Sequence, residues 1–386
     1  MNNFTFLPDC ATDYLHKNQK ALIDLTIQLA AIPAPSGHEE LRMAFCKDWL
    51  VAHGVMNIEV DRSLNVLCPF NCEGRDDIHI FMAHMDVVFP DMSPFAVTRR
   101  DGKIYAPGIG DNSANVAVLL MLAVFIAENS ALFIDKAILV VANTCEEGLG
   151  NLAGCKTVLQ TYNNRIADFI SFDGYINHLT NNAVGSERYQ INISTEGGHS
   201  YFDFGHKNAI VEMSGLISML YAIEVPGNVK ITYNVGLIEG GTSINTIAEN
   251  ALMLYEYRSE DAANLDLMRA QFNDILEQIR SESVAVEVEL LDRRPCKQGV
   301  DERELELLTS RNLSIIQQYY EEPVKVAAAS TDSNVPLSMG IPSNTLGTVI
   351  GGGGHTRGEW IIEDSLMIGF KIALAILCSI IGPPFR

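Results

Sequence analysis

The sequence predicts an α/β protein whose main domain is interrupted by an α+β segment. Three observations support this fold class. Between residues 77 and 173, near-continuous apolar strands alternate with helices, which is typical of a sheet covered on both faces. From about residue 185, half-polar strands and amphipathic helices follow a β-α-β-β-α-β order, which is typical of a ferredoxin-like domain. After residue 294, the pattern of the first domain returns.

The main domain is predicted to begin with two helices. In ALIDLTIQLAAIPAPSG, apolar residues recur at helical spacing until two prolines and a glycine end the pattern. Ser36 and Glu39 have the spacing of a capping box for the next helix, ELRMAFCKDWLVAHG. The elements predicted after these two are a strand DIHIFMAH, a helix NVAVLLMLAVFIAEN, strands KAILVVANT and ADFISFD, and later a helix ELELLTSRNLSIIQQYY and a strand and loop NTLGTVIGGGGH.

The inserted segment is predicted to form a domain of its own. Its four strands are ERYQINISTEGG, VKITYNVGLIEGG, ENALMLYEYRSE and VAVEVELLD, and its helices are HKNAIVEMSGLISMLYAI and LDLMRAQFNDILEQIRSES. We therefore predict a catalytic or binding domain formed by residues 1–184 and 295–386, and an inserted domain formed by residues 185–294.

Composition excludes several classes of protein. The 386 residues are 47% hydrophobic and 19% charged, as expected for a folded globular protein. The net charge is −21, without an acidic tail, which argues against nucleic acids and anionic membranes as partners.

Targeting and redox features predict a cytoplasmic location. The N-terminal sequence has no basic region and no apolar core of a secretory signal. The C-terminal segment LMIGFKIALAILCSIIG is shorter than a membrane span and is interrupted by Lys371, so we expect a buried helix. Eight cysteines lack a repeating framework, which indicates reduced thiols.

Ionisable residues recur where the predicted strands end. His84 ends the strand DIHIFMAH, and Asp86 follows two residues later. Side chains alternate along a strand, so the two leave the chain on the same face. Burial of unpaired polar groups is costly, so this position requires a partner. The other polar residues of this kind, each after a strand or before a helix, are Asp111, Glu146, Glu147, Asp173 and His355.

Together these residues predict a metal site. In an open α/β sheet, ligands bind beyond the carboxyl ends of the strands. Several acids and two histidines gathered there would repel one another strongly unless cations were bound. The nitrogen and oxygen donors suit zinc, with cobalt or manganese as alternatives. Asp86 is placed to accept the second N–H of a metal-binding His84 and to fix its tautomer.

These residues lie in motifs that resemble a known family. The chain is similar to the di-zinc metallopeptidases that include peptidase T, carboxypeptidase G, aminoacylase and the acetylornithine and succinyl-diaminopimelate deacylases. The matching motifs, in family order over nearly the whole chain, are HMDVVFP, YAPGIGDNSANVAVLL, CEEGLGNLAG, SFDGY, GGHS, GGTSINTIAE and GGGGHTRGEW. The resemblance implies a zinc-peptidase domain with a mixed sheet flanked by helices, and an inserted lid and dimerisation domain.

The resemblance also implies roles for the strand-end residues. His84 and Asp173 would bind one zinc ion, and Glu147 and His355 would bind the other. Asp111 would bridge both ions. Glu146 would be the general base that takes a proton from the attacking water and passes it to the leaving nitrogen.

The inserted domain contributes a second set of implied residues. His199 of GGHS would stabilise the oxyanion in the active site of the partner subunit of a homodimer. Asn245 and Arg258 resemble residues that hold the carbonyl and the carboxylate of the substrate.

The expected function is hydrolysis of short peptides by an aminopeptidase or dipeptidase. Asp173 favours this class, because carboxypeptidases and deacylases of the family tend to have Glu there. Two other functions stay open at this point. One is an N-acyl amino-acid deacylase or carboxypeptidase with the same chemistry. The other is a dimeric binding protein without metals, which the intact ligand set disfavours.

Overall fold

The computed structural model describes residues 7–227 and 230–382. The strands, in chain order, are β1 (Glu59–Val60), β2 (Val66–Phe70), β3 (Ile78–His84), β4 (Thr98–Arg100), β5 (Lys103–Tyr105), β6 (Ile138–Asn143), β7 (Ile166–Phe172), β8 (His178–Ala183), β9 (Gly185–Ser194), β10 (Gly198–His199), β11 (Ile231–Gly240), β12 (Thr246–Ile247), β13 (Asn250–Ser259), β14 (Ala285–Arg294), β15 (Lys325–Ala329), β16 (Ser343–Leu346), β17 (Gly351–Gly352) and β18 (Trp360–Ile362). The α-helices are α1 (Asp9–Ala31), α2 (Glu40–Ala52), α3 (Ala114–Glu128), α4 (Ala153–Thr161), α5 (Ala209–Tyr221), α6 (Ala262–Ile279), α7 (Glu302–Tyr319), α8 (Asn334–Ser338) and α9 (Ser365–Ser379).

The chain divides into two compact units. The first comprises Met1–Ala183 and Gln298–Arg386, and the second comprises Val184–Lys297. These limits differ by one to three residues from the domain limits predicted at residues 184/185 and 294/295.

The first unit is built on an eight-stranded mixed sheet with the order β1-β2-β6-β3-β7-β16-β8-β15. Strand β3 pairs in parallel with both β6 and β7, so the carboxyl ends of these three strands lie at one edge. One face packs on a core that includes residues of α1, α3 and α9, and the other packs on residues of α4 and α8. This arrangement confirms the predicted α/β class with helices on both faces.

Two apolar helices are buried in the core of the first unit. In α9, Phe370, Ile372 and Leu374 are fully buried, as predicted for the C-terminal segment. Among the described residues, one helical stretch, Ile109–Glu128, is long and apolar enough to cross a membrane, but 94% of its apolar window is buried inside the protein. Both helices therefore have the burial of core helices.

A second, four-stranded sheet in the first unit has the order β17-β18-β5-β4. In this sheet, Trp360 of β18 pairs with Tyr105 of β5 on one side and with Gly352 of β17 on the other. The segment that leads to Asp111 is therefore held beside the two segments that flank His355. This sheet brings together two loops that are almost 250 residues apart in sequence.

The second unit contains an antiparallel sheet with the order β11-β13-β9-β14. Helices α5 and α6 pack on this sheet over a core that includes Tyr255, Tyr257 and Phe272. The strand order, with the first and third strands at the centre, is that of a ferredoxin-like α+β unit. The predicted strand VKITYNVGLIEGG corresponds to β11, although its Val229 lies outside the described residues.

Two local predictions are wrong. Helix α1 begins at Asp9, twelve residues before the predicted start at Ala21. The predicted capping box does not form, because α2 begins at Glu40 and its N-cap residue, Glu39, makes no capping hydrogen bond. The side chains of Ser36 and Glu39 instead contact distant parts of the chain.

All eight cysteines are free thiols rather than disulfides, as expected.

Candidate metal centre

The predicted ligands meet at the carboxyl edge of the main sheet. His84 is the last residue of β3, Glu146 and Glu147 follow β6, and Asp173 follows β7. Asp111 lies in the turn that precedes α3. His355 follows β17 and has a left-handed backbone conformation with φ of 62°. The structure thus brings together seven of the ten predicted site residues, which are His84, Asp86, Asp111, Glu146, Glu147, Asp173 and His355.

Asp111 is shared by two clusters of donor atoms. In the first cluster, Nε2 of His84 lies 3.1 Å from Oδ1 of Asp111 and 3.4 Å from Oδ1 of Asp173. In the second, Nε2 of His355 lies 3.2 Å from Oδ2 of Asp111 and 3.2 Å from Oε1 of Glu147. The two oxygens of one carboxylate therefore face two different histidines.

Burial and neighbouring charges shift the pKa values of the ionisable groups in the centre. Burial raises the pKa of the Glu147 and Asp173 carboxyls, and the charge of Asp111 raises it further. Contacts with Asp111 and Glu147 raise the pKa of His355 to about 11. Burial lowers the pKa of His84, but its contacts with Asp111 and Asp173 outweigh that effect and raise the pKa well above its usual value. The clustered carboxylates therefore favour positive charge on both imidazoles.

The donor atoms fit divalent metal ions better than ion pairs alone. Within the described residues, Nε2 of His84 and Oδ1 of Asp111 are buried and make no hydrogen bond. Two ligand atoms about 2.1 Å from a tetrahedral zinc ion are separated by about 3.4 Å, close to the distances within both clusters. A mixture of imidazole and carboxylate donors also suits zinc, cobalt or manganese. Each cluster can therefore hold one divalent ion.

Asp86 organises the loop that carries the two glutamates. Its carboxylate accepts the backbone N–H groups of Glu146 (3.0 Å) and Glu147 (2.8 Å). For Nδ1 of His84, the nearest acceptor is the carbonyl oxygen of Asp86 at 3.1 Å, whereas the carboxylate oxygen predicted for this role is 3.5 Å away. Asp86 therefore contacts both the histidine and the glutamate loop from a fully buried position.

Glu359 supports the turn that carries Asp111, although sequence reasoning gave it no role. This fully buried carboxylate accepts the backbone N–H groups of Gly108 (2.8 Å), Gly110 (2.9 Å) and Asp111 (2.8 Å). Tyr175 donates its hydroxyl to the same carboxylate at 3.1 Å. The sequence contains only a weak indication, an acid beside the partly buried Trp360 in the motif GGGGHTRGEW.

Asn115 links three loops of the centre. Its side-chain amide donates to the carbonyl of Gly174 at 3.0 Å, next to Asp173. Its Oδ1 accepts both the backbone N–H and the hydroxyl of Thr348, at 2.8 and 2.7 Å. These contacts join the Asp111 turn to the chain after β7 and after β16.

A further buried acid, Asp332, lies close to the centre. Its Oδ2 accepts the side-chain amide of Asn143 at 2.8 Å, and Asn143 pairs with His84 in the sheet. Burial raises the pKa of Asp332 to about 7. The charge of His84 lowers this pKa, and the charge of Asp173 raises it. The sequence STDSN did not indicate that this residue is buried.

The other three predicted site residues, His199, Asn245 and Arg258, belong to the second unit. His199 is exposed, and its Nδ1 accepts the backbone N–H groups of Tyr201 (3.2 Å) and Phe202 (3.4 Å). An imidazole that accepts at Nδ1 carries its proton at Nε2 when neutral. His199 is therefore prepared to act as a hydrogen-bond donor.

Asn245 and Arg258 occupy different surroundings in the second unit. Asn245 is exposed, and its backbone carbonyl accepts the N–H of Ser200, next to His199, at 3.0 Å. Arg258 donates two hydrogen bonds to Glu256, at 3.0 and 2.9 Å, and lines a cavity of about 140 Å³. A carboxylate ligand at Arg258 would therefore compete with Glu256.

Comparison with known proteins identifies the family. A family model described as peptidase family M20/M25/M40 matches residues 80–379, which include all seven residues of the centre. A search of curated proteins found no match.

Solved structures share the fold over nearly the whole chain. A tripeptidase from Staphylococcus aureus subsp. aureus Mu50 has a TM-score of 0.75 and 21% identity, covering 94% of this chain and 99% of that one. Aminopeptidase PepT from Bacillus cereus ATCC 10987 has a TM-score of 0.71 and 19% identity, with the same coverage. The Bacillus subtilis protein YXEP, described as a dinuclear metal-binding M20 peptidase, has a TM-score of 0.66 and 15% identity, covering 95% and 99%.

Proposed function

Because this chain belongs to peptidase family M20/M25/M40 and is a hydrolase, we propose that it cleaves short peptides as an aminopeptidase or dipeptidase with two divalent metal ions. The observation that carries this proposal is the position of Asp111. Its two carboxylate oxygens face His84 and His355, and each histidine has a further carboxylate beside it. Such an arrangement matches a pair of metal sites that share one bridging ligand.

The proposed ligand sets follow the two clusters. His84 and Asp173 would hold one ion, Glu147 and His355 would hold the other, and Asp111 would serve both. Zinc suits these donors, with cobalt and manganese as alternatives. When bound, the two ions supply a polarised substrate carbonyl and a water that loses its proton readily at neutral pH.

Glu146 is the proposed general base. Its position next to the ligand Glu147, on a loop held by Asp86, keeps its carboxylate close to the centre. There it takes a proton from the attacking water and passes it to the departing nitrogen of the peptide bond. Both glutamates are buried, and the contact between Oε1 of Glu147 and Nε2 of His355 supports a ligand role for Glu147 and leaves the proton-transfer role to Glu146.

The peptide substrate is supported by two considerations. The structural neighbours include a tripeptidase and an aminopeptidase, which have the same fold at 19–21% identity. By its resemblance to the family, Asp173 corresponds to a position where aspartate is typical of aminopeptidases and dipeptidases and glutamate of carboxypeptidases and deacylases.

We expect a free tripeptide to be cleaved faster than its N-acetylated form, by roughly tenfold or more, because one lost charged contact has about this effect. The measurement is kcat/KM for matched pairs of free and acetylated di- and tripeptides in the presence of zinc, cobalt or manganese. A preference for the acetylated compounds would instead assign the chain to the N-acyl amino-acid deacylases of the same family.

We expect about two divalent ions per chain at neutral pH, and loss of activity after chelation. Metal binding should weaken as the pH falls, because His84 and His355 have raised pKa values and must lose their protons to bind an ion. Elemental analysis after dialysis at neutral and acidic pH measures this. Full activity in a metal-free, chelator-treated sample would contradict the two-metal proposal.

The second unit is proposed to form a homodimer and to supply His199 to the reaction. The outer strand β11 exposes Leu237 and Ile238, and α5 exposes Val211. Exposed apolar groups beside an unpaired sheet edge favour association with a second copy. His199, with its donor at Nε2, is proposed to stabilise the oxyanion in the partner's active site, while Asn245 and Arg258 hold the substrate carbonyl and carboxylate.

A further inference from the structure

The loop that carries Glu146 and Glu147 is held by carboxylates at three consecutive backbone amides. It has no regular secondary structure, and Cys145 adopts a left-handed conformation with φ of 58°. Glu39 accepts the N–H of Cys145 at 3.0 Å, and Asp86 accepts those of Glu146 and Glu147. A loop that lacks the backbone hydrogen bonds of a helix or strand needs acceptors from other parts of the chain to keep one conformation.

Ser36 completes this arrangement from the turn between α1 and α2. Its hydroxyl lies 2.6 Å from Oδ2 of Asp86 and 3.1 Å from the carbonyl oxygen of Glu147. A hydroxyl has one proton, so the shorter contact with the charged carboxylate is the stronger bond. Ser36 therefore fixes the orientation of Asp86, whose two oxygens in turn hold the glutamate loop.

Glu39 acts on the same loop from the same turn. Its carboxylate is only 1% exposed and accepts the N–H of Gly37 as well as that of Cys145, both at 3.0 Å. Glu39 thus joins the turn to the residue directly before Glu146. Loss of this acceptor would leave the amide of Cys145 without this partner in a partly buried position.

The turn is anchored to the chain segment that directly follows β3 of the main sheet. Val87, just beyond β3, donates its N–H to Ala34 at 2.9 Å and forms a β-bridge with Pro35. The fully buried Arg42 of α2 donates to the carbonyl of Met85 at 2.7 Å. The turn is therefore fixed to the chain on both sides of Asp86.

We propose that Ser36 and Glu39 are positioning residues that hold Glu146 and Glu147 in their working geometry. This inference rests on the proposed function of the centre for its kinetic consequence, but the contact itself can be tested without catalysis. Proton transfer requires the carboxylate of Glu146 to keep its position relative to the attacking water. A displacement of this carboxylate by about 1 Å can lower the rate of hydrolysis by roughly a hundredfold.

The first test is hydrogen exchange in the metal-free protein, measured by mass spectrometry on peptides that cover residues 145–147. Ser36→Ala and Glu39→Leu should each speed exchange of these amides by roughly tenfold or more, because bonds to charged acceptors become weaker or are lost. Ser36→Thr keeps the hydroxyl and should exchange like the wild type, whereas Glu39→Gln keeps a neutral acceptor and should exchange at a rate between those of the wild type and Glu39→Leu. Ser338→Ala, which removes a hydroxyl bonded at 2.7 Å within α8, is the matched control.

The second test is kinetic. Ser36→Ala should lower kcat on a cleaved peptide by roughly tenfold, with KM, metal content and thermal unfolding close to wild type, and Ser36→Thr should restore kcat. Unchanged exchange, unchanged kcat, or a failure of Ser36→Thr to restore the rate would overturn the proposal. If the wild type cleaves no peptide, the proposed function fails, while the exchange measurement still decides whether the turn holds the loop.

Discussion

Replacement of Glu146 by Gln is expected to lower kcat by roughly 10²–10⁴-fold while the protein keeps its metal ions. The amide has nearly the shape of the carboxylate but cannot take a proton from water. Only proton transfer is removed, so the loss should appear in kcat and kcat/KM together, with little change in KM. Steady-state kinetics and elemental analysis of the same preparation measure both effects.

Glu147→Gln is the matched control, because it changes the neighbouring residue in the same way. Oε1 of Glu147 lies 3.2 Å from Nε2 of His355, which places it in the cluster around Asp111 and His355. Its replacement should lower the metal content from about two ions per chain toward one. If Glu146→Gln lost metal and kept turnover, the two glutamates would have exchanged roles.

The sequence could predict most of the centre because its ligands follow the strongest local patterns. Apolar runs identified the strands that end at His84 and Asp173, and the strand before Glu147. Parallel neighbours bring their carboxyl ends to one edge of a sheet, so the ligands had to be close together. Resemblance to a family then supplied the roles that strand ends alone could not.

The supporting residues could not be predicted, because their partners are distant in sequence. The spacing of Ser36 and Glu39 is the same for a capping box as for two independent contacts. Their partners, Asp86 and Cys145, lie 50 and 106 residues away, and only the tertiary structure brings them near. Local spacing was therefore consistent with the wrong interpretation.

Glu359 illustrates the same limit from the other end of the chain. Its three amide donors are about 250 residues earlier in the sequence, in the turn of Asp111. A glutamate between Gly358 and Trp360 has no local pattern that indicates burial. Long-range hydrogen bonds of this kind depend on the packing of two separate loops. They produce no periodic pattern in the sequence from which they could be predicted.

The second large effect concerns His199. His199→Ala is expected to lower kcat by roughly 10²–10³-fold, since it removes a donor to the developing oxyanion. The second unit leaves the ring exposed, with Nδ1 accepting from the backbone and Nε2 left to donate. If the homodimer forms as proposed, each His199 acts in the active site of the partner, and two defective chains can correct each other.

Mixed dimers test this directly. A His199→Ala chain and a Glu146→Gln chain should each be nearly inactive as homodimers. After subunit exchange, each heterodimer contains one site with both defects and one site with neither, so it should regain about half of the wild-type activity, because the two sites of a two-fold dimer are otherwise equivalent. Random exchange of equal amounts gives about one quarter of the wild-type activity in the mixture. Mixtures that stay inactive after proven exchange, or a fully active monomer, would show that His199 does not act across a dimer interface.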